Sequence, residues 1–202
     1  MTSISRKAIG VYASIPQPVK KFLLRSLVLF IIWKGMYLAF FAFPRTLDKP
    51  LTNLVGKHSA WLLNHLNSSN YYTAKEMIAV TQFEGQIQIA PVSRIDLNGK
   101  KIMFIADGCN GLELFILYVG FILAMPSKAK RKLFFIPLGI IVIHCINTLR
   151  CVGLSTLVVH WKAYFDLAHH YIFKMVVYAT IFLLWVKFSE GISFKKELDH
   201  VV

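Results

Sequence analysis

Four apolar stretches constrain this chain more than any other feature. They cover residues 22–43, 109–125, 133–159 and 171–188, and the first two are closed by Pro44 and Pro126. A membrane-crossing helix needs about 20 predominantly apolar residues, within a range of roughly 17–25. The first and third stretches meet that length outright, and the other two reach it with one more turn. The composition agrees, with 56% hydrophobic and only 16% charged residues and a mean hydropathy of +0.55. Soluble domains average about 45–50% apolar and about 25% charged. The expected class is therefore an all-α integral membrane protein with about four transmembrane helices, forming one membrane domain over residues 1–202. A soluble globule, a disordered chain and a disulfide scaffold are excluded. The first stretch begins too deep and runs too long for a cleaved signal peptide, so it reads as a retained signal anchor.

Charge gives the orientation. The formal net charge is +13, from 23 Lys and Arg against 10 Asp and Glu, a balance that in a soluble chain would point to nucleic acid. Here the basic residues sit in short runs beside the apolar stretches. Arg6, Lys7, Lys20, Lys21 and Arg25 occur before residue 26 with no acid, and Lys128, Lys130, Arg131 and Lys132 follow Pro126 with none. Short basic segments flank spans on the cytoplasmic side. No nucleic-acid partner is expected. Residues 1–21 and 126–132 are placed inside, both termini are cytoplasmic, and residues 44–108 form an outer loop. Within that loop, residues 54–66 carry apolar positions at helical spacing and read as a short interfacial helix. Asn98-Gly99, between two alternating runs, is a strong hairpin signal.

Ionisable and polar side chains inside spans cost energy and each needs a reason. The first stretch has Lys34, the second Glu113, the third His144, Asn147 and Arg150, and the fourth opens on His169 and His170 with Lys174 a turn later. With the orientation above, Cys109 begins the second span at the outer face. Arg150 lies about 18 residues into the third, roughly 27 Å of rise, and the two histidines begin the fourth. Thiol, guanidinium and imidazole thus share one depth.

Each has a chemical use. A thiolate is favoured at a helix N-terminus and beside cations, and Asp107 is placed to cap a helix whose first turn holds Cys109. A histidine can act as base or oxyanion donor, and an arginine can hold or stabilise a developing anion. Structural readings stand beside these. Lys34 can snorkel, His144 can be a satisfied interhelical group, Cys145 and Cys151 read as small apolar packers, and Cys109 with Cys151 can form a disulfide. The cysteines lack metal-ligand spacing, so neither metal nor cofactor is expected.

Cys109-Asn110-Gly111-Leu112 opening a span, Asn147-Thr148-Leu149-Arg150 in the next, and Asp166-Leu167-Ala168-His169-His170 before the last resemble the exosortase/archaeosortase family. That family's usual pattern is Cys-Ser-Gly, Asn-x-x-Arg, then a histidine at the outer start of the following helix. The match covers roughly residues 100–188, with 109–188 as the catalytic core spans. Asn110 replaces the usual Ser, and four spans is fewer than many members have. The resemblance implies a membrane cysteine protease or transpeptidase in a bacterial inner membrane, with its site facing the periplasm. Its partners would be exported proteins carrying a C-terminal hydrophobic sorting signal and a basic tail. It implies that Cys109 forms an acyl-thioester, that Arg150 is the proton donor, and that His169, with His170 as the alternate, stabilises the transition state. Lys34, Glu113 and Lys174 receive no role from it. Two other functions compete: a membrane hydrolase or transferase on lipid-linked glycans, using Glu113 and the histidines, and a non-catalytic subunit of an envelope assembly or export complex.

Overall fold

The structure is a computed structural model that describes residues 17–36, 47–67, 71–83 and 86–190. Five helices and one sheet follow one another: α1 Gln17–Met36, α2 Asp48–Leu66, β1 Tyr72–Phe83, β2 Gln86–Leu97, β3 Lys100–Ile105, α3 Leu112–Ala124, α4 Ala129–His160 and α5 Lys162–Ser189. The last opens as a 3-10 turn, passes through a π-helical segment at Ala168–Ile172, and is α-helical from Phe173. By length and composition α4 (32 residues) and α5 (28 residues) can each cross a membrane. Only 22% and 17% of their most apolar windows are buried within the protein, unlike the core helix of a soluble domain. The 13-residue α3 is apolar but shorter. Lys20, Lys21, Arg25 and Lys34 interrupt α1, and the expected end of the first stretch, residues 37–43, lies outside the described residues.

The expected all-α class with a β-hairpin in the outer loop is corrected by a three-stranded antiparallel sheet of order β1-β2-β3, one strand more than the hairpin. The Asn-Gly hairpin forms as read: Asn98 (φ 49°) and Gly99 (φ 80°) both adopt positive φ between β2 and β3, as a tight type I′ turn requires. Strand β1 is the unanticipated part. Its Ile78 and Val80 are 72% and 70% exposed, so the apolar pattern there faces outward and gives no core signal. Pro91 sits within β2 opposite Ile78. It is tolerated because β3 pairs with β2 only from Ser93 to Leu97, leaving Pro91, which lacks an N–H, on a stretch with one strand neighbour.

Helix α2, read over residues 54–66, starts at Asp48 and packs on this sheet and on α4. Its close approach depends on Gly56, where a Cβ would lie 2.0 Å from Ser93 Oγ. Asn64 ties it to β1 by accepting from Tyr72 N (2.6 Å) and donating to Tyr72 O (2.9 Å). Val55, Leu63, Tyr72, Ile95 and Ile105 from this layer form one core with Cys151, Leu154 and Ala168. A second core, around Tyr118, Ile143, Ile181 and Phe188, holds α3, α4 and α5 together toward their other ends. There the basic run cited for orientation also closes helix ends. Lys132 Nζ donates to Leu123 O (2.8 Å) and Arg131 Nη2 donates to Phe188 O (2.7 Å), supplying donors to the last carbonyls of α3 and α5.

Candidate active site

The turn carrying Cys109 differs from the expected helix start. Asp107–Cys109 is a 3-10 turn in which Cys109 N donates to Ala106 O (2.8 Å). Helix α3 begins only at Leu112, behind Gly111 at φ +84°. The left-handed Gly111 breaks the helical path, so Cys109 and Glu113 are not successive turns of one helix. Asn110 serves the helix start: its Oδ1 accepts from Leu112 N (2.8 Å). The side chain of Asp107 lies outside what the structure describes.

Two anchors fix this turn. On one side Asn147 Nδ2, from α4, donates to the Cys109 carbonyl at 2.6 Å. On the other, Asn110 Nδ2 donates to Asp48 Oδ1 of α2 at 2.7 Å and lies 3.4 Å from Thr52 Oγ1. Asp48, Thr52 and Asn110 are all buried, and a buried hydrogen bond to a carboxylate is stronger than one between neutral groups. Sequence reading missed this second anchor, because Asp48 and Asn110 stand 62 positions apart. The available signal was an acid just before Pro50, at a plausible helix start.

Arg150 is brought to the thiol. One turn above Asn147 on α4, its Nη2 lies 3.6 Å from Cys109 Sγ, and the side chain is only 7% exposed. Arg150 Nε and Asn147 Oδ1 have no hydrogen-bond partner among the described residues, which leaves polar capacity that a bound peptide can satisfy. Cys151 is a free thiol, wholly buried in the α2–α4 core, so the disulfide considered from sequence is not formed. Cys145 is exposed on α4.

The histidines are not at the start of a helix, as expected, but seven and eight residues beyond Lys162, inside the π-helical segment. No glycine or proline separates Trp161 from Tyr171, so the residues between the third and fourth apolar stretches coil almost entirely into α5. A π segment re-aims side chains relative to an α-helix and is frequent at functional sites. Here Ala168 is buried in the core beside Cys151, His169 is half-buried, and His170 is exposed. His169 stacks on Phe165 at 5.6 Å between centroids. His144 pairs with His58 of α2 through a 2.8 Å nitrogen–nitrogen contact, the satisfied interhelical role read for it.

Two cavities flank the Cys109 turn. The smaller, about 210 Å³, is lined by Gly108, Gly111, Glu113, Arg150 and Lys174 among others. The larger, about 600 Å³, runs between α1 and α3 past Lys34, Glu113 and Asp48. The three span charges to which the family resemblance gives no role, Lys34, Glu113 and Lys174, thus all line cavities that reach the same turn.

The chain matches the family model described as transmembrane exosortase over residues 21–186. No curated protein matches it, and no solved structure does.

Proposed function

We propose, for a chain that belongs to the transmembrane exosortase family, the activity of a membrane-embedded cysteine protease or transpeptidase that cleaves C-terminal sorting signals of exported proteins. The carrying observation is the 3.6 Å approach of Arg150 Nη2 to Cys109 Sγ, between groups 41 residues apart. A guanidinium at that distance favours the thiolate form. The thiolate attacks the scissile carbonyl, and His169 stabilises the resulting oxyanion. The thiol proton reaches the departing amine by way of Arg150, leaving an acyl-thioester on Cys109. Water or a second nucleophile then releases the product and restores the thiol. Asn147 and Asn110 hold the nucleophile's backbone while this happens, the kind of positioning on which an enzyme's rate depends.

The proposed setting is a bacterial inner membrane that the chain crosses four times with both termini inside, the α2–sheet layer and the Cys109 turn facing the periplasm. A target anchored by its own apolar span diffuses in the same membrane, and its basic tail stays on the cytoplasmic side. The polar ends of α3, α4 and α5 then meet it at the outer surface.

The test is processing of an exported reporter ending in a short recognition stretch, an apolar span and a basic tail. Cys109→Ala is expected to abolish cleavage while the protein still folds, and Arg150→Lys to slow it about 10²–10⁴-fold through loss of proton transfer. His169→Ala should lose at least tenfold more activity than His170→Ala, and the reverse order reassigns the oxyanion donor to His170. Hydroxylamine added during turnover should yield a hydroxamate at the new C-terminus, the signature of a thioester. Cleavage that survives Cys109→Ala refutes the proposal and favours the assembly-subunit or glycan-enzyme readings.

A further inference from the structure

Strand β3 is an edge of the sheet, and it leads straight into the nucleophile. The order β1-β2-β3 leaves its outer side without a strand neighbour. Among the described residues no backbone hydrogen bond from outside the sheet reaches Lys100–Ile105. Ile105, its last residue, stands four positions before Cys109. An exposed edge presents a row of unpaired N–H and C=O groups that templates another strand, and extended peptides commonly bind by adding to such an edge.

We infer that the target peptide docks as a fourth strand on the free edge of β3, in extended conformation and parallel to it, delivering its scissile bond to Cys109. This rests on the function proposed above. The direction follows from topology. The chain runs from the sheet down β3, through the Cys109 turn and into α3. A target runs from its exported domain, through the scissile bond, into its own span. Two chains that descend into one membrane the same way lie parallel. The six residues of β3 cover roughly 20 Å at about 3.3 Å per residue. They therefore pair with target residues that precede the scissile bond. The other outer edge, on β1, lies two strand spacings away, about 10 Å, and does not lead to the thiol.

The edge also has two unlike faces. Met103 and Ile105 are buried against the helices, whereas Phe104 is 38% exposed and Lys101 Nζ sits 4.7 Å above its ring. Main-chain bonds would give affinity, and target side chains would be read alternately, every second one lying over Phe104 and Lys101. An arrangement of this kind tolerates varied sequences at the positions in between.

Disulfide trapping tests this directly. The enzyme carries Cys109→Ala to stop turnover and Cys145→Ser to remove the exposed thiol, with a new cysteine at Lys101 or Phe104. The probe is a secreted reporter domain fused to the terminal recognition stretch, span and basic tail of an exported protein from the same genome. Single cysteines are walked through the ten residues before its cleavage point, which is mapped by mass spectrometry of the product made by the unsubstituted enzyme. Trapping yields should alternate with a period of two, by about fivefold or more between neighbours. Because Ile102 is bulged out of the β2–β3 register, Lys101 and Phe104 share a face, and moving the enzyme cysteine from Lys101 to Phe104 should move the best target position two residues toward the cleavage point. A flat profile, or a shift away from the cleavage point, overturns parallel docking. If cleavage requires Cys109 but the profile is flat, only the docking inference falls. If Cys109→Ala still cleaves, the function beneath it falls as well.

Discussion

The buried link between Asn110 and Asp48 permits a quantitative test of what holds the nucleophile. Asn110 is 2% exposed and Asp48 6%, so water cannot simply replace a lost partner. Asn110→Ala removes a 2.7 Å bond to the carboxylate and the 2.8 Å bond from Leu112 N. A hydrogen bond to a charged group contributes about 1.5–3 kcal/mol, and loss of a helix-start acceptor typically costs about 1 kcal/mol. The sum is about 2.5–4 kcal/mol. In a chain of 150–250 residues each kcal/mol lowers the thermal midpoint by about 2–4 °C, so Asn110→Ala is expected to unfold roughly 10 °C earlier in mild detergent, followed by tryptophan fluorescence. Much of that cost is the stranded charge. Removing Asp48 as well should therefore recover about 2 kcal/mol relative to the sum of the single substitutions. Asn110→Ser keeps an acceptor for Leu112 N but is too short to reach Asp48, and should fall between wild type and Asn110→Ala. Additivity of Asp48→Ala and Asn110→Ala to within about 0.5 kcal/mol would refute the link as an energetic unit.

Two glycine substitutions separate backbone strain from steric overlap. At Gly111 a Cβ would meet its nearest atom, Asn147 Nδ2, at an ordinary 3.5 Å, yet φ is +84°. Gly111→Ala should therefore cost about 1–2 kcal/mol through its left-handed backbone alone, read as a lower thermal midpoint, with slower processing because the turn carrying Cys109 shifts. At Gly139 the φ is not positive, but a Cβ would lie 2.1 Å from the Tyr118 ring, which is fully buried and donates to Phe135 O at 2.7 Å. Gly139→Ala should destabilise by about 1–3 kcal/mol through overpacking, and a Tyr118→Leu background should remove most of that penalty. Equal penalties in the two backgrounds would show that α3 and α4 are free to move apart.

Part of this architecture is a local property of the chain. The apolar stretches at 133–159 and 171–188 are long enough to coil across a membrane, α4 continuing even through Pro137, which is why α4 and α5 were legible as spans. Asn98-Gly99 sets its own positive φ values, which is why the β2–β3 hairpin was legible. The motifs around Cys109, Arg150 and His169 could be named because each is contiguous. Neighbouring residues did not reveal how those pieces meet. Strand β1 exists through pairing with β2 from Tyr72 to Phe83, and its outward-facing Ile78 and Val80 carry no trace of that pairing. The helix after Cys109 begins three residues late because Gly111 takes a left-handed turn, and α5 starts early because nothing local stops it.

The sequence by itself determined the membrane class, the hairpin and the candidate site residues Cys109, Arg150 and His169. Each of these depends on hydropathy, turn preference or residue type within a few positions. Only the tertiary structure decided that Arg150 reaches the thiol, that Asn147 and Asp48 hold its turn from two other helices, and that His169, with its side chain half-buried, is turned inward relative to exposed His170. Those relations join residues dozens of positions apart, and they are set by which helix faces pack together. That choice belongs to the whole core and to no single segment.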